Sequence, residues 1–304
     1  MIIGGGLSGL IWAYYHPDSV LIGDDIGGQF NSSFPLGVRF LHDTPAVRKL
    51  LNELKIKFKP KTIKVGYLQN NKIINAFNDE FANKYFAKSR GQQPSNQEIF
   101  MNNKQSSFPA LIVDFNKLIN ELKKVISLRH QLIIGRVVKI DAKNKLLFYL
   151  SKYGDNKQKR MVIYSEIINT IPLNFFLELM DEENNELKAL PVTFIYYSTN
   201  DELLLNTDVD FIYIADEESV AHRINIIEKE KNKVFVVAEW FGAHNDEEIK
   251  KAFGDGVISY KVLNSQIISI ETPQIESVKL IGRYGAWNRS WRIDKVVEEA
   301  IKNE

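Results

Sequence analysis

The chain has 304 residues and a mass of 35.0 kDa, which suits one large domain or two closely associated domains. Its 39 Lys and Arg residues nearly balance its 38 Asp and Glu residues, so we do not expect a generally basic surface that binds nucleic acid. The sequence has no cysteine, which excludes disulfides, thiolate metal sites, iron–sulfur clusters and cysteine nucleophiles. Any redox chemistry would therefore need a bound cofactor.

The sequence shows no signal that directs it to a membrane or out of the cell. It has no apolar run of about 18 residues, the length of a transmembrane helix, and no basic segment followed by a cleavable apolar segment at the N-terminus. We therefore expect a cytoplasmic protein that acts on a small molecule and has no membrane partner. The oligomeric state stays open.

The first residues predict a strand, a glycine-rich turn and a helix. Gly4, Gly6 and Gly9 fill the pattern G-x-G-x-x-G between a short apolar run and an apolar helical segment. In this pattern the first glycine allows a tight turn, the second lets a pyrophosphate approach the backbone, and the third lets the helix pack closely on the strand. The helix begins at Leu7 and Ser8, whose N–H groups favour bound phosphate. The alternative is a glycine-rich turn that binds no ligand.

A second strand is predicted around residues 20–22, and Asp24 follows it. Asp24 lies 20 residues after Gly4, close to where an acidic side chain meets the adenosine ribose in dinucleotide-binding folds. The ordered series of strand, glycines, helix, strand and acid favours a dinucleotide site over a turn without a ligand.

The segment after this strand points to the type of dinucleotide. It contains Gly27, Gly28 and Gln29 and resembles the glycine pair of the FAD-dependent superfamily that includes amine oxidases, protoporphyrinogen oxidases, carotene desaturases and UDP-galactopyranose mutases. In that superfamily the pair lets the backbone run close to the FAD diphosphate. Gln29 stands where an Arg is common. The resemblance implies FAD, and the lack of cysteine excludes a cysteinyl link, so we expect noncovalent binding.

Residues 34–45 resemble a mutase-type stretch in which a histidine lies beside the flavin ring, and this histidine is His42. Arg39 precedes it by three residues and is a candidate for holding an anionic group of the substrate. The alternatives are a hydrogen-bonded loop histidine and an ordinary surface arginine.

The predicted elements continue along the chain. A helix is predicted over 46–58, irregular structure over 62–110 with a loop or lid near 89–107, a helix over 115–127 and a strand over 132–140. Two antiparallel strands at 146–150 and 160–164, a short helix after residue 172 and a terminal helix are also predicted. The remaining strands are predicted at 192–199, 211–215, 222–228, 233–240 and 259–269.

The resemblance continues in three further places. The strand around 136–138 matches one that grips adenine through its backbone, which implies a contact at Val138. Residues 163–173 resemble the strand that leaves the FAD domain, with Thr170 near the cofactor. Gly282 and Arg283 resemble the mutase glycine–arginine motif beside flavin. The last helix then implies contacts from the residues near its start, Asp294 and Val296.

Candidate substrate and catalytic groups come from the same comparison. Arg223 and Glu239 resemble a mutase-like pair on two strands that face the substrate, and we assign them catalytic roles together with His42. The alternative is an Arg–Glu pair within a sheet. Tyr284 and Trp287 are candidate cavity walls, although single aromatic residues more often belong to a core.

The predicted fold class is α/β: a Rossmann-like FAD-binding domain of the glutathione-reductase type with an interleaved α+β substrate domain built on an antiparallel sheet. The FAD-binding domain would comprise residues 1–45, 111–171 and 272–304. The substrate domain would comprise residues 46–110 and 172–271.

Three functions remain open. The resemblance implies an FAD-dependent oxidoreductase whose flavin N5 accepts a hydride from a small-molecule or nucleotide-linked substrate. The first alternative is a non-redox flavoenzyme similar to UDP-galactopyranose mutase. The second is a non-catalytic protein that keeps the flavin fold for binding. No metal is expected.

Overall fold

The structure is a computed structural model that describes residues 1–31, 34, 36, 39–74, 78–88, 106–153, 156–182, 187, 189–267, 274–288 and 291–304. Among these residues no helix is both long and apolar enough to cross a membrane. The predicted lid near 89–107 lies almost entirely outside the described residues.

The first sheet holds the glycine-rich N-terminus. In the described part of the chain it has seven strands, which lie side by side in the order β16 (Val278–Leu280), β10 (Ile167–Asn169), β1 (Ile2–Ile3), β2 (Leu21–Gly23), β7 (Leu132–Asp141), β8 (Leu146–Tyr153) and β9 (Asn156–Ile163). The strands from β16 to β7 are parallel, and β7, β8 and β9 are antiparallel.

The second sheet is mostly antiparallel. Its described strands follow the order β15 (Val257–Ile267), β11 (Ala189–Thr199), β14 (Val234–Phe241), β13 (Arg223–Lys229), β12 (Phe211–Ile214), β4 (Phe58–Gln69), β6 (Ser107–Val113) and β3 (Leu41–His42), with β5 (Lys72–Ile74) beside β4. Only the pairing of β12 with β4 is parallel among these strands.

The helices complete the fold. Their bounds are α1 (Leu7–Tyr15), α2 (Pro45–Glu53), α3 (Asp79–Lys88), α4 (Phe115–Leu128), α5 (Leu173–Leu179), α6 (Glu202–Asn206), α7 (Asp246–Phe253), α8 (Gly282–Gly285) and α9 (Ile293–Lys302). Short 3₁₀ turns lie at Gly28–Asn31 and Gly254–Gly256.

The central strands are short, and both of their faces are buried. Ile2 packs in the core formed by α1, α2, α4 and α9, whereas its neighbour Ile3 packs in a second core on the opposite face. Leu21 and Ile22 alternate in the same way, as expected for a strand with period two. The parallel sheet is thus the middle layer, with helices on one face and strands β8 and β9 with α5 on the other.

The mixed α/β class is confirmed, but the prediction of irregular structure over residues 62–110 is wrong. Residues 62–110 were expected to be irregular, yet the described part of this region contains the C-terminal half of β4, then β5 and α3, and the N-terminal half of β6. The alternation of buried Ile63, Val65 and Tyr67 with polar or small residues is the period-two pattern of a strand with one buried face.

The domain boundaries stay a prediction. One observation concerns α2, which the predicted division places in the substrate domain. Its buried residues Val47, Leu50 and Leu51 pack with α1 and α9 in the first core. The helix begins with Thr44, whose side chain accepts a hydrogen bond from the N–H of Val47.

The packing of α1 predicts unequal effects of two glycine substitutions. A Cβ at Gly9 would lie 2.0 Å from the carbonyl oxygen of Gly4, whereas a Cβ at Gly6 would have no atom within 4 Å. We expect Gly9→Ala to lower the free energy of unfolding by about 1–3 kcal/mol or more, because a backbone carbonyl must move. Gly6→Ser should leave it nearly unchanged, since serine is a favourable N-cap residue. Urea titration of both variants tests this, and equal stability would contradict it.

Candidate active site

The glycine turn comprises residues 4–9. At only one of its three motif glycines is there open space for an added side chain. Gly4 has φ of +114°, and a Cβ there would collide with Thr170. Gly6 has an extended conformation at the start of α1, and no side chain caps the helix. The first N–H groups of α1 therefore have no side-chain partner at the cap, next to a position where a ligand could approach the backbone.

The glycine pair at residues 27 and 28 packs directly on this turn. The N–H of Gly27 donates to the carbonyl of Gly5 at 2.8 Å, and Gly27 forms an isolated parallel bridge with Gly6. Gly28 has φ of +55°, and a Cβ there would lie 3.2 Å from the Cα of Gly6. The structure thus brings together the two glycine segments that the sequence analysis assigned to a diphosphate.

Thr170 stabilises the glycine turn through contacts with backbone carbonyl groups. Its hydroxyl contacts the carbonyl of Ile3 at 2.8 Å and that of Gly4 at 3.2 Å. Gly282, with φ of +80°, packs on the start of α1, because a Cβ there would lie 2.7 Å from the hydroxyl of Ser8. Thr170 and Gly282 therefore shape the turn rather than present a side chain to a ligand.

Two predicted contacts lie at the edges of the turn. Asp24 directly follows β2 and is exposed, so its carboxylate is accessible to a ribose. Val138 lies at a bulge in the pairing of β7 with β8, between Val137 and Lys139, and has no cross-strand partner in that register. A bulge leaves the backbone groups of one residue outside the ladder, which fits backbone recognition of a ligand.

His42 lies where the first residues of α9 approach β3. Its ring stacks on Phe108 with centroids 4.9 Å apart and meets the edge of Phe40 at 5.5 Å. Burial lowers the pKa of His42, and the nearby positive charge of Arg292 lowers it further. The imidazole is therefore neutral at pH 7 and has one nitrogen that donates and one that accepts hydrogen bonds.

Asp294 lies in the first turn of α9 and belongs to the same group. It is only 6% exposed, and its Oδ2 accepts a hydrogen bond from Nη2 of Arg292 at 3.3 Å. Its Oδ1 is buried and has no hydrogen-bond partner among the described residues. A buried carboxylate oxygen normally has a donor, so this atom is available to a ligand at the start of α9.

Arg223 and Glu239 face each other across β13 and β14. Nε and Nη2 of Arg223 both donate to Oε1 of Glu239, at 2.8 and 2.5 Å, and Nδ2 of Asn225 donates to the same oxygen at 2.9 Å. Oε2 lies 3.6 Å from Nε2 of His222. Although burial alone would raise the pKa of Glu239, the charge of Arg223 and the contact with His222 lower it to about 2. Glu239 is thus a permanent anion that holds Arg223.

Arg283 lies on α8 and interacts electrostatically with this pair. Part of the residue is exposed to solvent, while desolvation of the part that neighbouring protein surrounds lowers its pKa, and repulsion from Arg223 lowers it further. Glu239 attracts both guanidinium groups but is already bonded to Arg223. Two guanidinium groups are therefore electrostatically coupled to one carboxylate, which is hydrogen-bonded to Arg223.

Several aromatic residues of this region were missed by the sequence analysis. The Tyr213 ring lies 6.0 Å from Cζ of Arg223 and meets the Tyr85 ring at 5.5 Å. Tyr67 stacks on Tyr213 at 6.0 Å. These residues come from β12, α3 and β4, and none of them lies in a recognisable motif. The available signal was the alternation of Phe211 and Tyr213 in a predicted strand.

The side chains of three predicted site residues lie in the hydrophobic cores. Trp287 is 2% exposed and packs in the second core, so it is no cavity wall. Val296 is fully buried, and its N–H donates to the carbonyl of Arg292, so it offers no group to a ligand. Leu7 also buries its side chain in the first core, which leaves only its backbone for the predicted phosphate contact.

The remaining candidates have identified partners. Nη2 of Arg39 donates to the carbonyl of Phe34 at 2.7 Å, and its guanidinium lies over the Phe30 ring at 5.6 Å. Burial lowers the pKa of Arg39. Nε2 of Gln29 donates to the hydroxyl of Tyr284 at 3.4 Å, which links the glycine pair to α8. Gly37 and Val38 of the mutase-type stretch lie outside the described residues.

Comparison with known proteins shows similarity in structure alone. No family model and no curated protein sequence matches the chain. Reduced UDP-galactopyranose mutase matches with a TM-score of 0.67 and 12% identity, over 99% of this chain and 92% of that one. Cyclohexylamine oxidase from Brevibacterium oxydans IH-35A has a TM-score of 0.61 and 10% identity, over 99% and 96%.

A third structure contains the cofactor. The glycerol-3-phosphate dehydrogenase from Bacillus halodurans complexed with FAD has a TM-score of 0.55 and 13% identity, over 99% of this chain and 63% of that one. The chain therefore shares the overall fold of these three proteins, in agreement with the resemblance seen in the sequence motifs.

The ion pair predicts how acid affects stability. The folded-state pKa of Glu239 is about 2, below its ordinary value of 4.5, so its stabilisation is complete above pH 4.5 and is lost as the pH falls toward 2. Glu239→Gln removes this charge. We expect the variant to lose about 3 kcal/mol of unfolding free energy at pH 7 and to depend less on pH below 4.5.

Urea titration between pH 7 and pH 3 measures the effect of Glu239→Gln. Glu228→Gln is the matched control, because Glu228 is an exposed glutamate on the neighbouring strand β13. A loss of stability in Glu239→Gln no larger than that of the control would contradict the buried ion pair.

Proposed function

We propose that the chain is an FAD-dependent oxidoreductase whose substrate carries a negative charge. The observation that supports it most is the contact between the two glycine segments beside the uncapped start of α1. The similar structures include an amine oxidase and a dehydrogenase complexed with FAD. When bound, FAD supplies the two-electron chemistry that this cysteine-free chain cannot supply from its own side chains.

The residues present fit this cofactor. The open space at Gly6 and the free helix start suit a diphosphate, and the exposed Asp24 suits a ribose. The Val138 bulge suits adenine. At the other end, the orphaned oxygen of Asp294 offers a hydrogen-bond acceptor at the start of α9. These residues would hold FAD noncovalently.

The chain's own side chains would then select and orient the substrate. Arg223 is held in one orientation by Glu239, and Arg283 is close enough for Arg223 to repel it. Their facing charges favour an anionic substrate group, which would reduce the repulsion between the two guanidinium groups. Neutral His42 can donate or accept a hydrogen bond without adding charge. Phe108 excludes water from one face of its ring.

A second candidate function is a non-redox reaction similar to that of UDP-galactopyranose mutase. The arginine pair favours it, because a nucleotide diphosphate is an anion that two guanidinium groups bind well, and the mutase has the higher TM-score among the structures compared above. Isomerisation of UDP-galactopyranose by the chemically reduced holoprotein would support this candidate. Full FAD content without isomerisation would exclude it.

Gly6→Ser tests the cofactor site. We expect the purified wild-type protein to take up FAD, to show the absorption of oxidised flavin, and to bleach with dithionite. A side chain at residue 6 blocks the approach of the diphosphate to the backbone, so the variant should bind FAD roughly tenfold or more weakly. Ala252→Ser is the control, because it adds a hydroxyl group at an exposed position of α7 outside the glycine segments. A wild-type protein that binds no FAD would overturn the proposal.

Arg283→Gln tests the substrate charge. We expect amines and alcohols that carry a carboxylate or phosphate to reduce the bound flavin faster than their neutral analogues do. Removing one charged hydrogen-bond donor should raise the KM for the anionic compound by about tenfold or more, with a smaller effect on the neutral analogue. Arg129→Gln, remote on the surface, is the control.

Two outcomes would contradict this reading of the substrate. Equal rates with charged and neutral compounds would remove the proposed role of the arginine pair. Bound FAD that no amine, sugar nucleotide or nicotinamide donor reduces would favour a binding protein over an enzyme.

A further inference from the structure

Strands β7, β8 and β9 present one face that the proposed flavin site does not use. Cross-strand neighbours point to the same side of a sheet, so the register defines which residues share this face. We call it the basic strand face, and its members are Arg136, Lys139, Asp141, Leu146, Phe148, Leu150, Lys159, Met161 and Ile163. The opposite side of the same strands packs in the second core through Val137, Leu147 and Tyr149.

Large apolar side chains are exposed on this face. Ile163 is 74% exposed and Met161 is 55% exposed. They lie beside the half-buried Leu146 and Phe148 on the neighbouring strand. An exposed apolar cluster rimmed by polar groups is typical of an interaction surface rather than of an ordinary sheet face.

Positive charge is concentrated in the same strands. Residues 132–163 contain eight Lys or Arg residues against two Asp, whereas the rest of the chain holds 31 Lys or Arg against 36 Asp or Glu. On the face itself, Nζ of Lys159 lies 5.4 Å from the Phe148 ring, and Arg136 lies across from Leu150. Three of the eight basic residues, Arg136, Lys139 and Lys159, lie on the basic strand face beside its apolar residues, so the net charge of +1 for the whole chain hides a local excess of positive charge.

The negative groups near this face are few and already engaged. Asp141, at one end, accepts hydrogen bonds from the N–H and the side chain of Asn144. Asp181, from beyond α5, forms a salt bridge with Lys139 at 2.7 Å. Arg136 and Lys159 lie at the opposite end of the face from Asp141. Neither forms a salt bridge with any described residue.

We propose that the basic strand face docks the protein on an anionic lipid surface. Met161 and Ile163 would enter the interface, while the long side chains of Lys159 and Arg136 keep their charges at the level of the lipid headgroups. A second copy of the chain suits this face less well, because isologous pairing would bring two basic surfaces together. The sequence led us to expect no membrane partner because it has no spanning segment, but peripheral docking requires none.

Sedimentation with lipid vesicles tests the proposal on the full chain. Vesicles of phosphatidylcholine are compared with vesicles that also contain phosphatidylserine, at low and high salt. We expect binding to the anionic vesicles alone, and weaker binding at high salt because counter-ions screen the attraction. This readout needs neither FAD nor turnover, so it is independent of the proposed function.

Two variants separate the apolar contribution from the charged one. The double variant Met161→Ser/Ile163→Ser should weaken binding by roughly tenfold or more, and Lys159→Gln by about fivefold. The matched controls are Ile258→Ser/Val262→Ser, an exposed apolar pair on β15, and Lys59→Gln, an exposed lysine on β4. All these side chains are exposed, and thermal unfolding verifies that each variant is folded.

Three results would overturn the proposal. The first is no binding of the wild-type protein to anionic vesicles. The second is equal binding to neutral and anionic vesicles, and the third is equal weakening by the control variants. Binding of duplex DNA or of poly-glutamate in the absence of vesicle binding would also overturn it, and would assign the face to another class of partner.

Discussion

The architecture depends on a backbone contact that only glycine permits. The start of α1 lies so close to β1 that a single methyl group at Gly9 would meet the carbonyl oxygen of Gly4. The glycine pair at residues 27 and 28 then packs on Gly5 and Gly6 from another side. Because side chains are missing from this contact, peptide N–H groups become the chemical surface, and Gly6 is left as the place where a ligand can approach them.

A second constraint is electrostatic and acts between the adjacent strands β13 and β14 of the second sheet. Glu239 is bonded to Arg223 and Asn225 on its own sheet, so its charge fixes the orientation of Arg223 and is unavailable for proton transfer. Arg283 on α8 is repelled by Arg223 and attracted by Glu239. Glu239 is thus better described as a positioning residue for Arg223 than as the catalytic group that the sequence suggested. The positive charge that Glu239 does not neutralise lies on the two arginines, Arg223 and Arg283.

The distribution of charge matters more than its total. A net charge of +1 argues against a generally basic protein, yet residues 132–163, the antiparallel ribbon of the first sheet, contain eight basic and two acidic residues and expose Met161 and Ile163. The ribbon and the arginine pair lie on different elements of the fold. The amino-acid composition does not show the ribbon or the arginine pair, because both depend on which elements become neighbours in the fold.

The sequence by itself determined the features that depend on local pattern. The glycine turn, the amphipathic α4 with its buried residues at helical spacing, and most strands follow from residue order and periodicity. The strand β4 also had a readable period-two pattern at residues 63–67, which its lysines and Pro60 obscured. The predicted burial of single residues was less reliable, since Trp287 and Val296 lie in motifs near the site but face the cores.

Only the tertiary structure decided which distant residues meet. Tyr85 and Tyr213 are in contact although 128 positions separate them, and Arg283 on α8 is electrostatically coupled to Arg223 on β13. No local periodicity encodes such contacts, because they arise only when elements far apart in the sequence, such as α3 and β12, pack together. The orphaned oxygen of Asp294 likewise became visible only in the fold, since a lack of partners depends on every neighbour at once.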